Sequence, residues 1–368
     1  MNKKLYSDLC ELVLVQTISR KTENMRAHIH AYVEGLKDPT ISIIEDKENN
    51  IYIVKGDGVL VDNKPYYPCV VAHTDTVHTM VKHPAVYSCG DNLFAFDAEN
   101  MCQIGTGGDD KVGIFIALWL LQTCSSIKIA FFVDEEIGCK GSGQADMKWF
   151  DNVTLVLQAD RQRALDVVRN AGGTELFNEA FEKALKPIMK EYDRKIEHGL
   201  YTDVKALADQ KLPVCCMNMS CGYYNPHTSK EYINVVEVEA TYKFMLDIIK
   251  TIGNRTWPIE RKTAKYSGAT VTHYSGGSNG GAFGRSWPPE MLGAPLEGYR
   301  YDSRKKLWVP TSKRAPQGYV HDKVFRTQAF DFCEECGKVL ATKKEFEWGV
   351  CANCFEQAIG TSGEAVPF

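Results

Sequence analysis

Five short stretches of this sequence combine residue types that can hold metal ions and move protons. They are His73-Thr74-Asp75, Asp109-Asp110 at the end of Gly105-Thr106-Gly107-Gly108, Asp134-Glu135-Glu136, Asp160 in Gln158-Ala159-Asp160, and His227 in Asn225-Pro226-His227. Taken singly, each reads most simply as a solvated turn or a helix cap. Together they supply two imidazoles and at least four carboxylates. Gathering so many carboxylates without a cation would raise their pKa values by mutual repulsion and destabilise the fold. A multivalent metal resolves this, because zinc accepts histidine nitrogen and carboxylate oxygen. A pair of ions roughly 3.5–4 Å apart can polarise a carbonyl and lower the pKa of a shared water. One carboxylate must then bridge the ions, and another must stay unligated to take the water's proton.

Towards the C-terminus, Cys333-Glu334-Glu335-Cys336 and Cys351-Ala352-Asn353-Cys354 form two C-x2-C pairs fourteen residues apart. One such pair alone reads as a redox motif, but two of them flanked by aromatics predict a four-cysteine zinc ribbon over residues 326–360. So short a segment lacks a sufficient core, and its structural zinc would supply most of its folding free energy. Lys338, Lys343 and Lys344 are offset by Glu334, Glu335, Glu345 and Glu347, which speaks against a phosphate-binding face. Docking of a protein partner or self-association is the expected role. The remaining nine of the thirteen cysteines are scattered, mostly inside apolar runs, a usage that suits a reducing compartment. The cytoplasm is the expected location.

The catalytic stretches need elements to position them. Residues 51–54, 69–72, 127–133, 153–157, 164–168 and 214–218 are apolar runs of strand length. Residues 5–18, 111–122, 174–192 and 234–252 read as helices. The alternation predicts an α/β fold, a mostly parallel sheet sandwiched by helices, over residues 1–255. Ligands collect beyond the C-terminal ends of strands in such sheets, and four of the five stretches follow a predicted strand there. The fifth, Asp109-Asp110, precedes a buried helix. Spacing does not decide between these two carboxylates, since a helix N-terminus favours both. Residues 267–285 hold six glycines, and Pro288, Pro289 and Pro295 follow, so residues 256–325 read as a linker with a small hairpin near residues 299–308.

In this order, His73-Thr74-Asp75-Thr76-Val77, the Gly105–Gly113 segment with Asp109-Asp110-Lys111, Asp134-Glu135-Glu136-Ile137-Gly138, Asp160 and Asn225-Pro226-His227-Thr228 resemble the co-catalytic zinc exopeptidases, a superfamily that includes peptidase T and many aminopeptidases, carboxypeptidases and deacylases. The resemblance covers about residues 5–253. It implies that His73 and Asp160 bind on one zinc side, that Asp109 bridges both ions, and that Glu136 and His227 complete the second zinc. Asp75 would orient the His73 ring, and Asp110 would cap the helix. Glu135 would be general base and then acid, passing the water's proton to the leaving amine. Two catalytic divalent ions are implied, zinc foremost, with manganese or cobalt as alternatives.

Many relatives with this motif order insert a lid domain before the last histidine, but only 66 residues separate Asp160 from His227 here. A large lid is therefore not expected, and the reaction's oxyanion needs another donor. Tyr223 and Tyr224 are the nearest candidates, although an aromatic packed at a loop base is the simpler reading. Arg161 is a candidate partner for a substrate carboxylate, and Asp203 for a substrate ammonium. His78 and His83 fit no ligand spacing and read as surface histidines.

Of 368 residues, 44% are hydrophobic and 24% charged, with 43 Lys+Arg against 47 Asp+Glu, which excludes a disordered chain. The net charge of −4 gives no support for nucleic acid as a partner. Residues 112–127 are uncharged but too short and too polar to cross a membrane, and residues 5–18, interrupted by Asp8 and Glu11, do not read as an export signal. The expected function is metal-dependent hydrolysis of amide bonds in peptides or small aminoacyl compounds, foremost as an aminopeptidase. The alternatives are a deacylase or carboxypeptidase on the same centre, or a catalytically idle zinc-ribbon adaptor.

Overall fold

The computed structural model describes residues 1–261, 299–302 and 307–310. The tetracysteine segment with Cys333, Cys336, Cys351 and Cys354, and most of the 256–325 stretch, lie outside the described residues.

In chain order the elements are α1 (Lys3–Leu14), α2 (Glu23–Gly35), β1 (Ile41–Glu45), β2 (Ile51–Lys55), β3 (Val59–Val61), β4 (Lys64–His73), β5 (Pro84–Cys89), β6 (Asn92–Asp97), β7 (Cys102–Ile104), α3 (Gly108–Thr123), β8 (Ile127–Phe132), α4 (Lys140–Gly143), β9 (Val153–Gln158), β10 (Asp166–Ala171), β11 (Thr174–Glu175), α5 (Glu179–Glu191), β12 (Lys195–Gly199), α6 (Asp203–Asp209), β13 (Cys216–Met219), β14 (Tyr223–Tyr224), β15 (Tyr232–Asn234) and α7 (Val235–Ile252). Separately, β16 (Tyr299–Asp302) and β17 (Leu307–Pro310) pair antiparallel.

The main sheet runs β1-β2-β8-β4-β9-β13-β10-β11, with β3 on β4 and β12 on β10. Its middle, β8-β4-β9-β13, is parallel. Every residue of β8 and β9 is buried, as strands covered on both faces require. The expectation of a mostly parallel sheet holds for this middle and for the β10–β12 pair. The β1–β2 pair and the β2–β8 and β10–β13 pairings are antiparallel, so the sheet is mixed. A short connection explains the β1–β2 pair alone, since strands joined by a short loop pair antiparallel, whereas parallel neighbours need a long crossover.

Helix α3 is apolar nearly all round, and buried residues line it from Val112 to Leu121. Such a helix must lie in the interior, and it packs against β4 and between α1 and α7. Helix α7 begins at Asn234, whose side-chain oxygen accepts the Val236 and Glu237 amides. The stretch expected as one helix over 174–192 instead opens as strand β11. Leu176 and Phe177 enter the core, and α5 starts only after Asn178, which caps the Phe181 amide at 3.0 Å.

A second, smaller sheet runs β14-β15-β6-β5, with β7 on β6. No strand was expected over residues 84–104. The alternating burial of β6, with Leu93, Ala95 and Asp97 inward, belongs to a half-exposed sheet rather than to a continuous apolar run. Residues 161–226 add strands and helices to the two sheets and form no separate lid. Packing continues past residue 255: Trp257 is buried, and the Arg261 guanidinium donates to the Val214 carbonyl at 2.9 Å. Among the described residues, no helix is long and apolar enough to cross a membrane.

Candidate metal centre

The parallel strands deliver the motif residues to one edge. In β4, His73 sits in register with Phe132 of β8, so His73-Thr74-Asp75 lies beside the Asp134-Glu135-Glu136 turn. On the other flank, Gln158 of β9 is in register with Val71 of β4 and Asn218 of β13, which places Asp160 two residues further on. Asn218 secures it, its side chain accepting the Asp160 amide at 2.9 Å and donating to the Asp160 carbonyl at 2.7 Å. His227 comes from the connection between β14 and β15 in the small sheet.

Asp109 lies between the two imidazoles. Its Oδ1 is 3.1 Å from His73 Nε2, and its Oδ2 is 3.3 Å from His227 Nε2. Asp160 Oδ1 is 3.6 Å from His73 Nε2, while Glu136 Oε1 is 3.1 Å from His227 Nε2. Glu135 Oε2 stands 3.9 Å from His73 Nε2, and its Oε1 accepts from the Cys139 thiol at 3.3 Å. The His73 ring is fixed from behind: Nδ1 faces the Asp75 backbone oxygen at 3.0 Å and Asp75 Oδ1 at 3.5 Å.

Asp109 and Asp110, joined by a cis peptide bond, have different surroundings. Both oxygens of Asp110 accept backbone amides, Oδ2 from His73 at 3.2 Å and Oδ1 from Gly113 at 3.0 Å. That arrangement caps the turn entering α3. Asp110 still lies close enough to form one ligand-type cluster with His73 and Asp160; His73, Asp109 and Glu136 form another. Both clusters are capable of coordinating a divalent ion.

Electrostatics fit a cation. Burial pushes Glu135 and Glu136 each up to about 7, with Asp109 adding repulsion at both. Burial, then Asp109 and Asp110, raise Asp160 well above the carboxylate range. Burial disfavours a charged His73, yet Asp109, Asp160 and Asp75 together hold its pKa well above the usual imidazole value. Asp109 and Glu136 raise His227 to about 10. Without an ion, protons must serve as the countercharge. Glu136 Oε1 is buried against the His227 ring at 3.1 Å without a well-aligned hydrogen bond, an acceptor that a metal would satisfy better. The donor set of imidazole and carboxylate suits zinc and related divalent ions.

Four weaker candidates fare differently. Tyr223 is buried with its hydroxyl 3.5 Å from Asp160 Oδ1. Its neighbour Tyr224 points to the other face of the strand, donates to Glu237 and stacks on Tyr232, so it does not face the centre. Arg161 is turned to Asp166, Nε to Oδ2 at 2.8 Å, rather than held free for a substrate carboxylate. Asp203 is fully buried and bonded through Oδ2 to Gln158 at 3.1 Å.

Two residues escaped the sequence reading. Glu231, fully buried, binds the backbone under Asp109, and His78, read as a surface histidine, has its Nε2 2.7 Å from Glu231 Oε2. The signal available was only a glutamate four residues after His227.

No protein-family model matches the sequence. No curated protein matches it either. The fold is similar to several solved structures. An aminopeptidase, PepT, from Bacillus cereus ATCC 10987 is 15% identical with a TM-score of 0.56, and the match covers 68% of this chain and 99% of that one. A tripeptidase from Staphylococcus aureus subsp. aureus Mu50 is 14% identical, with a TM-score of 0.54 and coverage of 69% and 100%. An aminopeptidase from the archaeon Desulfurococcus kamchatkensis is 13% identical, with a TM-score of 0.51 and coverage of 69% and 95%.

Proposed function

We propose that this chain hydrolyses amide bonds in peptides or small aminoacyl compounds with the aid of divalent metal ions, acting as an aminopeptidase. The observation that carries this reading is the carboxylate of Asp109, set between His73 and His227 with Asp160 and Glu136 on its flanks. His73, Asp109 and Asp160 would hold one ion, and His227, Asp109 and Glu136 the other. Zinc is the expected metal, with manganese or cobalt as alternatives. When bound, such ions would lower the pKa of the attacking water and polarise the substrate carbonyl.

The chain's own groups supply the rest. Glu135, with Oε2 3.9 Å from His73 Nε2, is the carboxylate left without a ligand role, placed to take a proton from water and hand it to the leaving nitrogen. Asp75 holds the His73 ring in one orientation. Tyr223, with its hydroxyl 3.5 Å from Asp160 Oδ1, is suited to stabilising the oxyanion in the absence of a lid residue. The preference for a free amino end draws on the likeness of fold to aminopeptidases. Cys333, Cys336, Cys351 and Cys354 would hold a third, structural zinc, in a module for protein docking or self-association.

A panel of amino-acid anilides, dipeptides and N-acyl amino acids tests the proposal. Turnover of anilides and dipeptides is expected, abolished by chelation and restored by zinc. Cleavage of N-acyl amino acids alone would assign a deacylase or carboxypeptidase instead. If a fully zinc-loaded chain cleaves no amide in the panel, the α/β domain is an idle scaffold.

A further inference from the structure

Glu231 has no exposed surface, yet no lysine or arginine pairs with it among the described residues. A buried carboxylate is costly unless hydrogen bonds replace its water. Here three groups do so: the Gly107 amide donates to Oε2 at 2.6 Å, the Asp109 amide donates to Oε1 at 3.2 Å, and His78 Nε2 lies 2.7 Å from Oε2. The loop is shaped for these contacts. A Cβ on Gly105 would lie 2.0 Å from the His78 ring. Gly107 has φ +66°, and a Cβ there would meet Thr76 at 2.9 Å.

We infer that Glu231 is a positioning residue for the metal centre: it fixes the backbone at Asp109 so that the shared carboxylate points between His73 and His227, and His78 locks Glu231 in turn. The inference rests on reading Asp109 as the shared ligand. Glu231 and His227 also belong to one connection between β14 and β15, so a single segment supplies a ligand and aligns the ligand opposite it. Groups that hold a ligand from behind typically change metal affinity by about 10–100-fold when removed.

The test measures zinc affinity by competition with a chromophoric chelator, together with the visible spectrum of the cobalt-substituted chain. A nitrogen- and oxygen-ligated cobalt lacks the thiolate charge-transfer band of a tetracysteine site, so the two sites are read separately. Glu231→Gln should weaken binding at the nitrogen–oxygen centre by about 10–100-fold and alter its spectrum. His78→Ala should act in the same direction with smaller effect, and should add little in the Glu231→Gln background, because the two share one chain of contacts. If Glu231→Gln fails to fold, His78→Ala carries the test. Unchanged affinity and spectrum, with only a lower unfolding temperature of the metal-free chain, would reduce Glu231 to a helix cap and overturn the inference alone. A wild-type chain that takes up no metal at this centre overturns the reading of Asp109 and the inference with it.

Discussion

The Glu135 amide donates to Asp75 Oδ1 at 3.0 Å, so the carboxylate behind the His73 ring also holds the turn that carries the proposed base. Asp75 Oδ2 further accepts the Glu136 amide at 3.3 Å and the Ser19 hydroxyl at 2.7 Å. Adjacent parallel strands make this possible, because His73 and Phe132 are in register and both loops leave the sheet side by side.

Asp75→Ala should therefore do more than free a ring. It strands buried backbone donors, and each such group costs about 1–3 kcal/mol. We expect a loss of about 2–4 kcal/mol in denaturant unfolding of the metal-free chain, together with a metal affinity about 10–100-fold weaker. Asp75→Asn keeps one acceptor oxygen and should lose less than half as much stability.

Glu135→Gln should retain its catalytic metals while kcat falls by about 100–10,000-fold, the usual contribution of a positioned proton-transfer group. Metal content and steady-state kinetics on one preparation check this. Loss of an ion in the variant would make Glu135 a ligand rather than a base.

The two adjacent tyrosines provide an internal control. Tyr223→Phe should lower kcat by about 10–100-fold with little change in KM, as expected for a donor used in the transition state. Tyr224→Phe should leave kcat within about twofold and cost about 1 kcal/mol of stability through its lost bond to Glu237.

Removing metal should destabilise the fold as well as stop the reaction. At a free zinc concentration about 100 times Kd, one site contributes about 2.7 kcal/mol to stability, so chelation should lower the unfolding temperature and added zinc should restore it. The intact chain should carry three zinc equivalents, and the Cys333→Ser/Cys336→Ser variant two, as read by elemental analysis.

The middle of the main sheet was legible because β8, β9 and the second half of β4 are buried and largely apolar. The motif residues at their ends, His73, Glu135, Glu136 and Asp160, are accordingly the ones found side by side. The small sheet was not legible, since its strands are short and half exposed. Glu231 and His78 were invisible for another reason: a contact between residues 153 positions apart leaves no local pattern. Tyr224 shows the limit of proximity in sequence, for strand alternation turned it away from the centre.

His73 belongs to the main sheet and has no exposed surface, whereas His227 sits on the small sheet with 45% of its side chain exposed. The two halves of the centre thus differ in how readily they exchange with their surroundings. Solvent would reach an ion on the His227 side more readily than one on the His73 side.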